Sequence, residues 1–328
     1  MKILAVDDDP LILQLLTEVL RVVGFTNLKT CESAHDALGE IERADVPFDC
    51  FLLDIQMPGM DGIELTRAIR KLPAHKVSPI VMITAMSDRS YIDNAFAAGA
   101  SDYVTKPFEI GEVHARLGQI HERVLAHKQR EDRNPVSAPR DATSIVTASD
   151  FQSRLPLSDI DAFVEYLALE NYLFQVSRVS LFGMRAFGIV VPGLERAFQA
   201  SSVYEYQSTV SDFAEAISDC LKPRSFLAAH AGSGEFVCVL TDGDTIDPVA
   251  FETTLCETIR DMDLHFCDGR AMTLEPVVGN PISLQLKSSR GVANVLVQAL
   301  ADAEAVARAP RTHRETAPTS ALKQLFGW

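Results

Sequence analysis

The chain has 328 residues, of which 47% are hydrophobic, and a formal net charge of −15. That length predicts about two domains. The acidic excess is spread over both halves and disfavours a DNA-binding protein, because such proteins carry a basic patch or stripe. The six cysteines have no paired ligand spacing and indicate a reducing compartment. No stretch approaches the roughly 18 apolar residues of a membrane span, so we expect a cytoplasmic protein without a membrane partner.

Residues 1–128 alternate between strand and helix signals. Short apolar runs that stop at turn residues predict strands at 3–6, 28–31, 51–53, 80–84 and 102–105. Apolar residues at helical spacing predict helices at 10–24, 34–41, 63–70, 89–98 and 110–128. Strands that alternate with helices of this length predict a doubly wound α/β domain, in which helices cover both faces of a five-stranded parallel sheet.

A polar segment at 129–150 reads as a linker, and a second domain is predicted at 151–309. Its predicted elements are a helix at 159–175, a strand at 179–184, a helix at 203–221, hairpin strands at 226–230 and 235–240, a helix at 248–262, strands at 272–278 and 282–286, and a helix at 292–308. The order βαββαβ after a leading helix predicts a ferredoxin-like α+β domain. The tail at 310–328 has little periodicity, and we expect most of it to be disordered.

Three carboxylates stand where predicted strands end. Asp7 and Asp8 follow the first strand, and Asp54 follows the third. Chemistry in open α/β sheets gathers at the carboxyl ends of the strands, so these acids predict a cation site. A structural alternative exists for the first group, because Asp8 or Asp9 before Pro10 also suits the N-cap of the first helix.

Motifs in the same order along the chain resemble the receiver domain of two-component response regulators, which has a flavodoxin-like fold. The matching segments are Val6-Asp7-Asp8-Asp9, Leu53-Asp54-Ile55-Gln56-Met57-Pro58-Gly59-Met60-Asp61-Gly62, Ile83-Thr84-Ala85 and Tyr103-Val104-Thr105-Lys106-Pro107-Phe108. The resemblance covers about the first 125 residues and implies a phosphorylated signalling domain.

The resemblance implies a role for each acid. Asp54 is the implied phosphoacceptor, and Asp7, Asp8, Asp54 and the backbone carbonyl of Gln56 are the implied Mg²⁺ ligands. A carboxylate nucleophile accepts a phosphoryl group only when the surrounding negative charge is offset, and a hard divalent cation does this well. The implied phosphoryl donor is a histidine kinase or a phosphotransfer protein.

The resemblance also assigns the residues that hold and report the phosphoryl group. Lys106 pairs with Asp54 or with a phosphoryl oxygen, Thr84 donates its hydroxyl to another oxygen, and Tyr103 rotates into the space left behind Thr84. The Lys106–Pro107 bond is a candidate cis peptide. Taken singly, Lys106 reads as a surface lysine, Thr84 as a strand residue and Tyr103 as a half-buried strand tyrosine.

The second half carries a fainter resemblance to GGDEF domains, which make cyclic di-GMP from GTP. The match centres on one predicted turn, Gly232-Ser233-Gly234-Glu235-Phe236. Two-metal phosphoryl transfer needs acids that this chain lacks. An alignment on residues 181–187 places non-acidic residues at the acid, lysine and product-site positions, namely Gly183, Arg185, Gly188, Pro223, Phe226 and Gly234.

Three interpretations of this half stay open. It is a catalytically inactive GGDEF-like domain that acts by protein contact, dimerisation or nucleotide binding; it is a residual diguanylate cyclase regulated by phosphorylation; or the turn is an ordinary hairpin in an unrelated domain. The missing acids favour the first. A homodimer and a downstream protein are then the expected partners besides the kinase.

Overall fold

The structure is a computed structural model that describes residues 1–85, 88–133, 145–157, 159–176, 181, 183–199, 201–284 and 289–309. Predictions for the tail at 310–328, for residues 134–144 of the linker, and for Phe182 lie outside these residues. Among the described helices, none is both long and apolar enough to cross a membrane.

The first unit is a five-stranded parallel sheet with helices on both faces. Its elements are β1 (Ile3–Val6), α1 (Pro10–Val22), β2 (Leu28–Cys31), α2 (Ala34–Glu42), β3 (Cys50–Leu53), α3 (Gly62–Arg70), β4 (Ile80–Thr84), α4 (Arg89–Ala97), β5 (Asp102–Thr105) and α5 (Ile110–Arg133). The strand order is β2-β1-β3-β4-β5, and every pair is parallel. The prediction of a doubly wound, flavodoxin-like first domain is confirmed.

Two apolar layers hold this unit together. One lies between the sheet and α1 and α5, and the other between the sheet and α2, α3 and α4. Strands β1, β3 and β4 are buried along their whole length, which explains why they read as continuous apolar runs. The strand order reverses between β1 and β3, and such a switch point opens a crevice at the carboxyl ends of these strands.

The second unit is an antiparallel sheet between two pairs of helices. Its elements are α6 (Ala148–Gln152), α7 (Tyr166–Gln175), β6 (Arg185–Val190), α8 (Leu194–Phe198), α9 (Val203–Leu221), β7 (Phe226–Gly232), β8 (Glu235–Leu240), α10 (Pro248–Asp261), β9 (Val277–Val278), β10 (Ile282–Ser283) and α11 (Ser289–Arg308). The strand order is β10-β6-β8-β7, and β9 also pairs with β6. Helices α9 and α10 pack on one face, and α7 and α11 pack on the other.

Several predicted boundaries in the second unit are wrong. The strand predicted at 179–184 lies partly outside the described residues, at 179, 180 and 182. Strand β6 begins at Arg185, after Gly183, whose positive φ of 106° is not that of a strand. The helix predicted at 159–175 begins at Tyr166, because Phe163 bridges Ala228 of β7 in extended conformation. The strand predicted at 272–278 shrinks to β9, and the short helix α8 was not predicted.

The predicted linker at 129–150 is partly helical in its described residues. Helix α5 continues to Arg133, beyond the predicted end at 128, and α6 begins at Ala148. A capping box explains why α6 begins at Ala148. The side chain of Thr147 accepts from the backbone N–H of Asp150, and the Asp150 carboxylate accepts from the backbone N–H of Thr147.

Candidate functional site

The carboxyl ends of β1, β3 and β5 bring two acids and one lysine together. Lys106 Nζ donates to Asp7 Oδ2 at 2.6 Å and to Asp54 Oδ1 at 2.8 Å. The side chain of Lys106 is 16% exposed, whereas those of Asp7 and Asp54 are 2% and 5% exposed. Two buried carboxylates therefore share one ammonium group, and the cluster keeps an excess of negative charge.

Burial and hydrogen bonds act in opposite directions on the pKa values of Asp7 and Lys106, and the net shift of each is upward. Burial raises the pKa of Asp7, and the hydrogen bond from Lys106 offsets only part of that effect. Burial alone would lower the pKa of Lys106, but its hydrogen bonds to Asp54 and Asp7 outweigh burial, so the pKa is raised. Lys106 therefore stays charged. Its single positive charge cannot neutralise two carboxylates, so Asp7 and Asp54 can bind a further cation.

The other acids near β1 lie at the surface. Asp9 caps α1, because its side chain accepts from the backbone N–H of Leu11 at 2.8 Å. The capping alternative therefore holds for Asp9, while Asp8 is exposed next to the cluster. The backbone N–H of Asp9 donates to Asp7 Oδ1 at 3.0 Å, which helps to orient that carboxylate.

The loop after Asp54 is held by the start of α3. A capping box joins Asp61 and Glu64, with the backbone N–H of Glu64 donating to Asp61 Oδ1 at 2.7 Å. Gly62 lies so close to the end of β3 that a Cβ there would stand 2.0 Å from the backbone carbonyl O of Asp54. Gln56 lies on this loop and is exposed. The loop geometry thus depends on a glycine that supplies space.

We expect Gly62→Ala to disturb this loop strongly. The added methyl group meets the backbone of Asp54, which cannot move aside as a flexible side chain can, so the free energy of unfolding should fall by about 1 to 3 kcal/mol. Urea denaturation measures the loss. Gly118→Ala on α5 is the matched control, because a Cβ there meets nothing within 4 Å and alanine favours the helix. Equal unfolding free energies for Gly62→Ala and the native protein would contradict the packing argument.

The two predicted switch residues are completely buried. Thr84 ends β4 and Tyr103 lies in β5, and each is 0% exposed. Burial raises the pKa of Tyr103, and the negative charges of Asp54 and Asp88 raise it further, which places the phenol within electrostatic reach of the acid cluster. The Lys106–Pro107 bond is cis, as expected.

Comparison with known proteins identifies the family of the first unit. The sequence model of one protein family, the response regulator receiver domain, matches residues 3–118 of this chain. The chemotaxis protein CheY of Pseudomonas aeruginosa is 38% identical over 124 residues, which are 38% of this chain and 98% of CheY. The chain belongs to the response regulator receiver family. The histidine-protein kinase BarA of Shigella flexneri is also 38% identical, over 118 residues, but this chain spans only 12% of BarA.

Solved structures related to the receiver domain cover the same region. A putative response regulator from Chloroflexus aurantiacus is 38% identical, with a TM-score of 0.34, and the match covers 36% of this chain and 95% of that one. CheY4 of Vibrio cholerae is 30% identical, with a TM-score of 0.34, and the match covers 36% of this chain and 97% of that one.

Beyond the receiver domain, the predicted turn forms the tip of the β7–β8 hairpin. Gly232, Ser233 and Gly234 all have positive φ angles, of 94°, 55° and 70°. A Cβ at Gly232 would stand 2.5 Å from the carbonyl O of Gln152, so this position needs glycine for space as well as for conformation. Phe236 is buried, and Glu235 hydrogen-bonds Glu304 of α11.

The two residues that the alignment puts at acid positions, Gly183 and Arg185, lie at or before the start of β6 and away from the turn. In the sheet Val190, not Arg185, is the partner of Glu235, and the backbone N–H of Val191 donates to the carbonyl O of Gly234. At Gly188, which the alignment puts at the lysine position, a Cβ would stand 2.4 Å from the carbonyl O of Ala299 in α11. The residues beside the turn are therefore valines, and the nearby helix α8 contributes Glu195 to the same cleft.

The pair Glu235 and Glu304 predicts a pH-dependent stability of the second unit. Burial, and then the hydrogen bond and charge of Glu304, raise the pKa of Glu235 from 4.5 to about 7. Between these values the folded protein binds a proton that the unfolded chain releases, so the free energy of unfolding falls as the pH rises through this window. Allowing for solvent screening, we expect a fall of about 1 to 2 kcal/mol.

The measurement is urea unfolding at pH 5 and pH 8 for the native protein and for Glu235→Gln. The glutamine keeps a hydrogen bond to Glu304 without titrating, so this variant should lose the pH-dependent contribution. Glu257→Gln, at an exposed position of α10, should keep the native slope. If the free energy of unfolding of Glu235→Gln fell between pH 5 and pH 8 as much as that of the native protein, Glu235 would not be the group responsible.

Sequence reasoning missed two features around the receiver domain. Arg70 at the end of α3 is buried and binds backbone carbonyls rather than an acid. Helix α7 of the second unit packs against α4 and β5. No local pattern marks either feature, because the partners of both are distant in sequence.

Proposed function

We propose that Asp54 accepts a phosphoryl group from a histidine kinase or a phosphotransfer protein. A carboxylate oxygen of Asp54 forms the new O–P bond while the bond from phosphorus to the donor breaks. The observation that carries this proposal is the convergence of Asp7, Asp54 and Lys106 at the switch point of a chain that matches receiver domains over residues 3–118.

The acid cluster fits a magnesium ion. Asp7 and Asp54 are buried, accept hydrogen bonds from a single ammonium group and retain an excess of negative charge. Among the described side chains, no group of three or more His, Cys, Asp or Glu residues is arranged to hold a metal. Mg²⁺ keeps several waters, so Asp7, Asp54 and the carbonyl of Gln56 would suffice, with Asp8 acting directly or through water. When bound, the ion offsets the charge of the phosphoryl oxygens.

The neighbouring residues then position the phosphoryl group. The ammonium of Lys106 moves from a carboxylate oxygen of Asp54 to a phosphoryl oxygen, which keeps its charge paired. The hydroxyl of Thr84 donates to a second phosphoryl oxygen, and Tyr103 occupies the space behind it. Phosphorylation replaces the single charge of the Asp54 carboxylate by a phosphoryl group that carries up to two negative charges and three acceptor oxygens, and these drive the rearrangement.

The test is incubation with Mg²⁺ and a small phosphodonor, followed by intact-mass measurement. The native protein should gain one phosphoryl group, and Asp54→Asn should gain none. Asp45→Asn is the matched control, because Asp45 is an exposed acid of the same domain and its loss should leave labelling unchanged. Equal labelling of the native protein and Asp54→Asn would overturn the proposal.

For the second unit we propose a catalytically inactive GGDEF-like domain that follows the receiver (1–128) and the linker (129–150). Two features support it: a hairpin next to a central strand in the order β10-β6-β8-β7, and a glycine-rich turn before Glu235-Phe236. The cleft beside the turn is lined by Glu195, Glu235 and Glu304, which would repel a triphosphate. Valines stand beside the turn where metal-binding acids would be needed.

The cyclase alternative has a direct test. Purified protein with Mg²⁺ and beryllofluoride, given GTP, should form no cyclic di-GMP, and robust product would overturn the inactive assignment.

Calorimetry with GTP and with cyclic di-GMP then separates a nucleotide-binding domain from one that acts through protein contact alone. Light scattering with and without beryllofluoride tests whether a homodimer forms.

A further inference from the structure

Helix α7 of the second unit is part of one continuous apolar core with the receiver domain. It packs against α4 and β5. Buried side chains on both sides belong to the same cluster, including Phe96 and Tyr103 of the receiver and Leu169, Tyr172 and Leu173 of α7. Each of these five side chains is at most 1% exposed. Such complete exclusion of water is typical of a fixed interface rather than of a transient contact between domains.

Specific polar contacts fix the position of α7. The hydroxyl of Tyr172 donates to Asp93 Oδ1 on α4 at 2.7 Å, and its ring meets Phe96 edge-on with centroids 5.4 Å apart. Asn171 Nδ2 donates to the carbonyl O of Ser101, just before β5, at 2.9 Å. Burial raises the pKa of Asp93, so a lost partner there would not be replaced freely by water.

A third contact ties the start of α7 to α5. Glu165, the N-cap residue of α7, accepts from Arg123 Nη2 of α5 at 2.8 Å. Its negative charge also reaches the buried guanidinium of Arg70. The second unit therefore contacts α4, the β5 edge and α5 at once, and α7 lies over the surface that encloses Tyr103.

The position of α7 limits where Tyr103 can go. Its ring is fully buried and lies in the cluster shared by α4 and α7. A ring that left this position would have to emerge between α4 and β5, and α7 occupies that surface. Docked α7 and an outward Tyr103 thus compete for the same volume.

We propose that α7 is a clamp that holds Tyr103 inward, so that docking of α7 and phosphorylation of Asp54 stabilise one another. This inference rests on the proposed role of Asp54. Coupling between two sites is reciprocal: if docked α7 favours the phosphorylated arrangement, phosphorylation favours docked α7 by the same factor. The second unit then acts on its own receiver by making it easier to phosphorylate.

Two measurements on the full-length chain test the coupling. The first is hydrogen exchange in α7 with and without Mg²⁺ and beryllofluoride, where we expect slower exchange in the α7 amides. The second is calorimetric titration with beryllofluoride in Mg²⁺. Tyr172→Phe combined with Asn171→Ala should bind it at least about 5-fold more weakly than the native protein. Tyr204→Phe, at a position of α9 that is 65% exposed, should bind with native affinity.

The outcomes separate this inference from the proposed function. No beryllofluoride binding by the native protein, or equal binding by Asp54→Asn, would overturn the role of Asp54. Binding that requires Asp54, but with unchanged or faster exchange in α7, would overturn the clamp alone. Native affinity in the double variant would also overturn the clamp, whereas weaker binding together with protected α7 amides supports it.

Discussion

Replacing Lys106 by methionine should destabilise the receiver domain by about 3 to 5 kcal/mol in magnesium-free buffer. The substitution keeps the length of the side chain but leaves Asp7 and Asp54 buried side by side without the ammonium that both of them contact. Besides burial, the negative charge of Asp54 already raises the pKa of Asp7, and this repulsion is strong in a partly dry site once the ammonium is removed. Urea denaturation of the native protein and the variant measures the difference.

Magnesium should reduce that difference. A divalent cation bound by the same carboxylates stabilises the folded state by mass action, so millimolar Mg²⁺ should recover part of the lost stability in Lys106→Met. Lys29→Met is the control, since Lys29 pairs with Glu40 at the surface and its loss should cost at most about 1 kcal/mol. A loss in Lys106→Met as small as that of the control would show that the acids are not electrostatically coupled.

Arg70→Met should be the second severe substitution, with a loss of about 3 to 5 kcal/mol. Arg70 is 7% exposed, and its guanidinium donates to the carbonyl oxygens of Gly99, His75 and Ser78 at 2.7 to 3.0 Å. Burial lowers its pKa to about 10, so it remains charged at neutral pH. Methionine cannot donate to these oxygens, and of the three only the carbonyl of His75 accepts a further backbone bond within the described residues, from the N–H of Ser78.

Thermal or urea unfolding measures this loss, and Arg67→Met provides the comparison on the same helix. Arg67 is exposed, so its replacement should change the free energy of unfolding by no more than about 0.5 kcal/mol. Arg70→Lys should fall between the two, because an ammonium keeps the charge but cannot reach three carbonyls in a fork. Similar losses for Arg67→Met and Arg70→Met would contradict the burial argument.

The receiver half could be predicted from sequence because each signal there is local. Strands β1, β3 and β4 are continuous apolar runs, and Asp9, Ser33 and Asp61 accept hydrogen bonds that start the helices after them. Strand ends then place Asp7 and Asp54 side by side without any knowledge of packing. The shared contact with Lys106 follows from the last strand, which lies two positions from β3 in the sheet.

The second half was harder to predict from sequence because neighbouring segments carry similar apolar patterns. Two apolar runs flank Gly183 in the sequence, and the pairing of the later run with β8 identifies it as β6. Helix α7 is apolar around much of its circumference, which predicts burial but not the partner. That partner is α4 of the receiver, a contact between residues some 79 positions apart, as in the bond from Tyr172 to Asp93.

The phosphoacceptor assignment has the most direct test in chemical trapping. Borohydride reduces an acyl phosphate of aspartate to homoserine, so phosphorylated native protein can be reduced, digested and mapped by mass spectrometry. We predict homoserine at position 54 and aspartate at positions 7 and 8. Homoserine at either of those positions, or an unmodified Asp54 in labelled protein, would contradict the account.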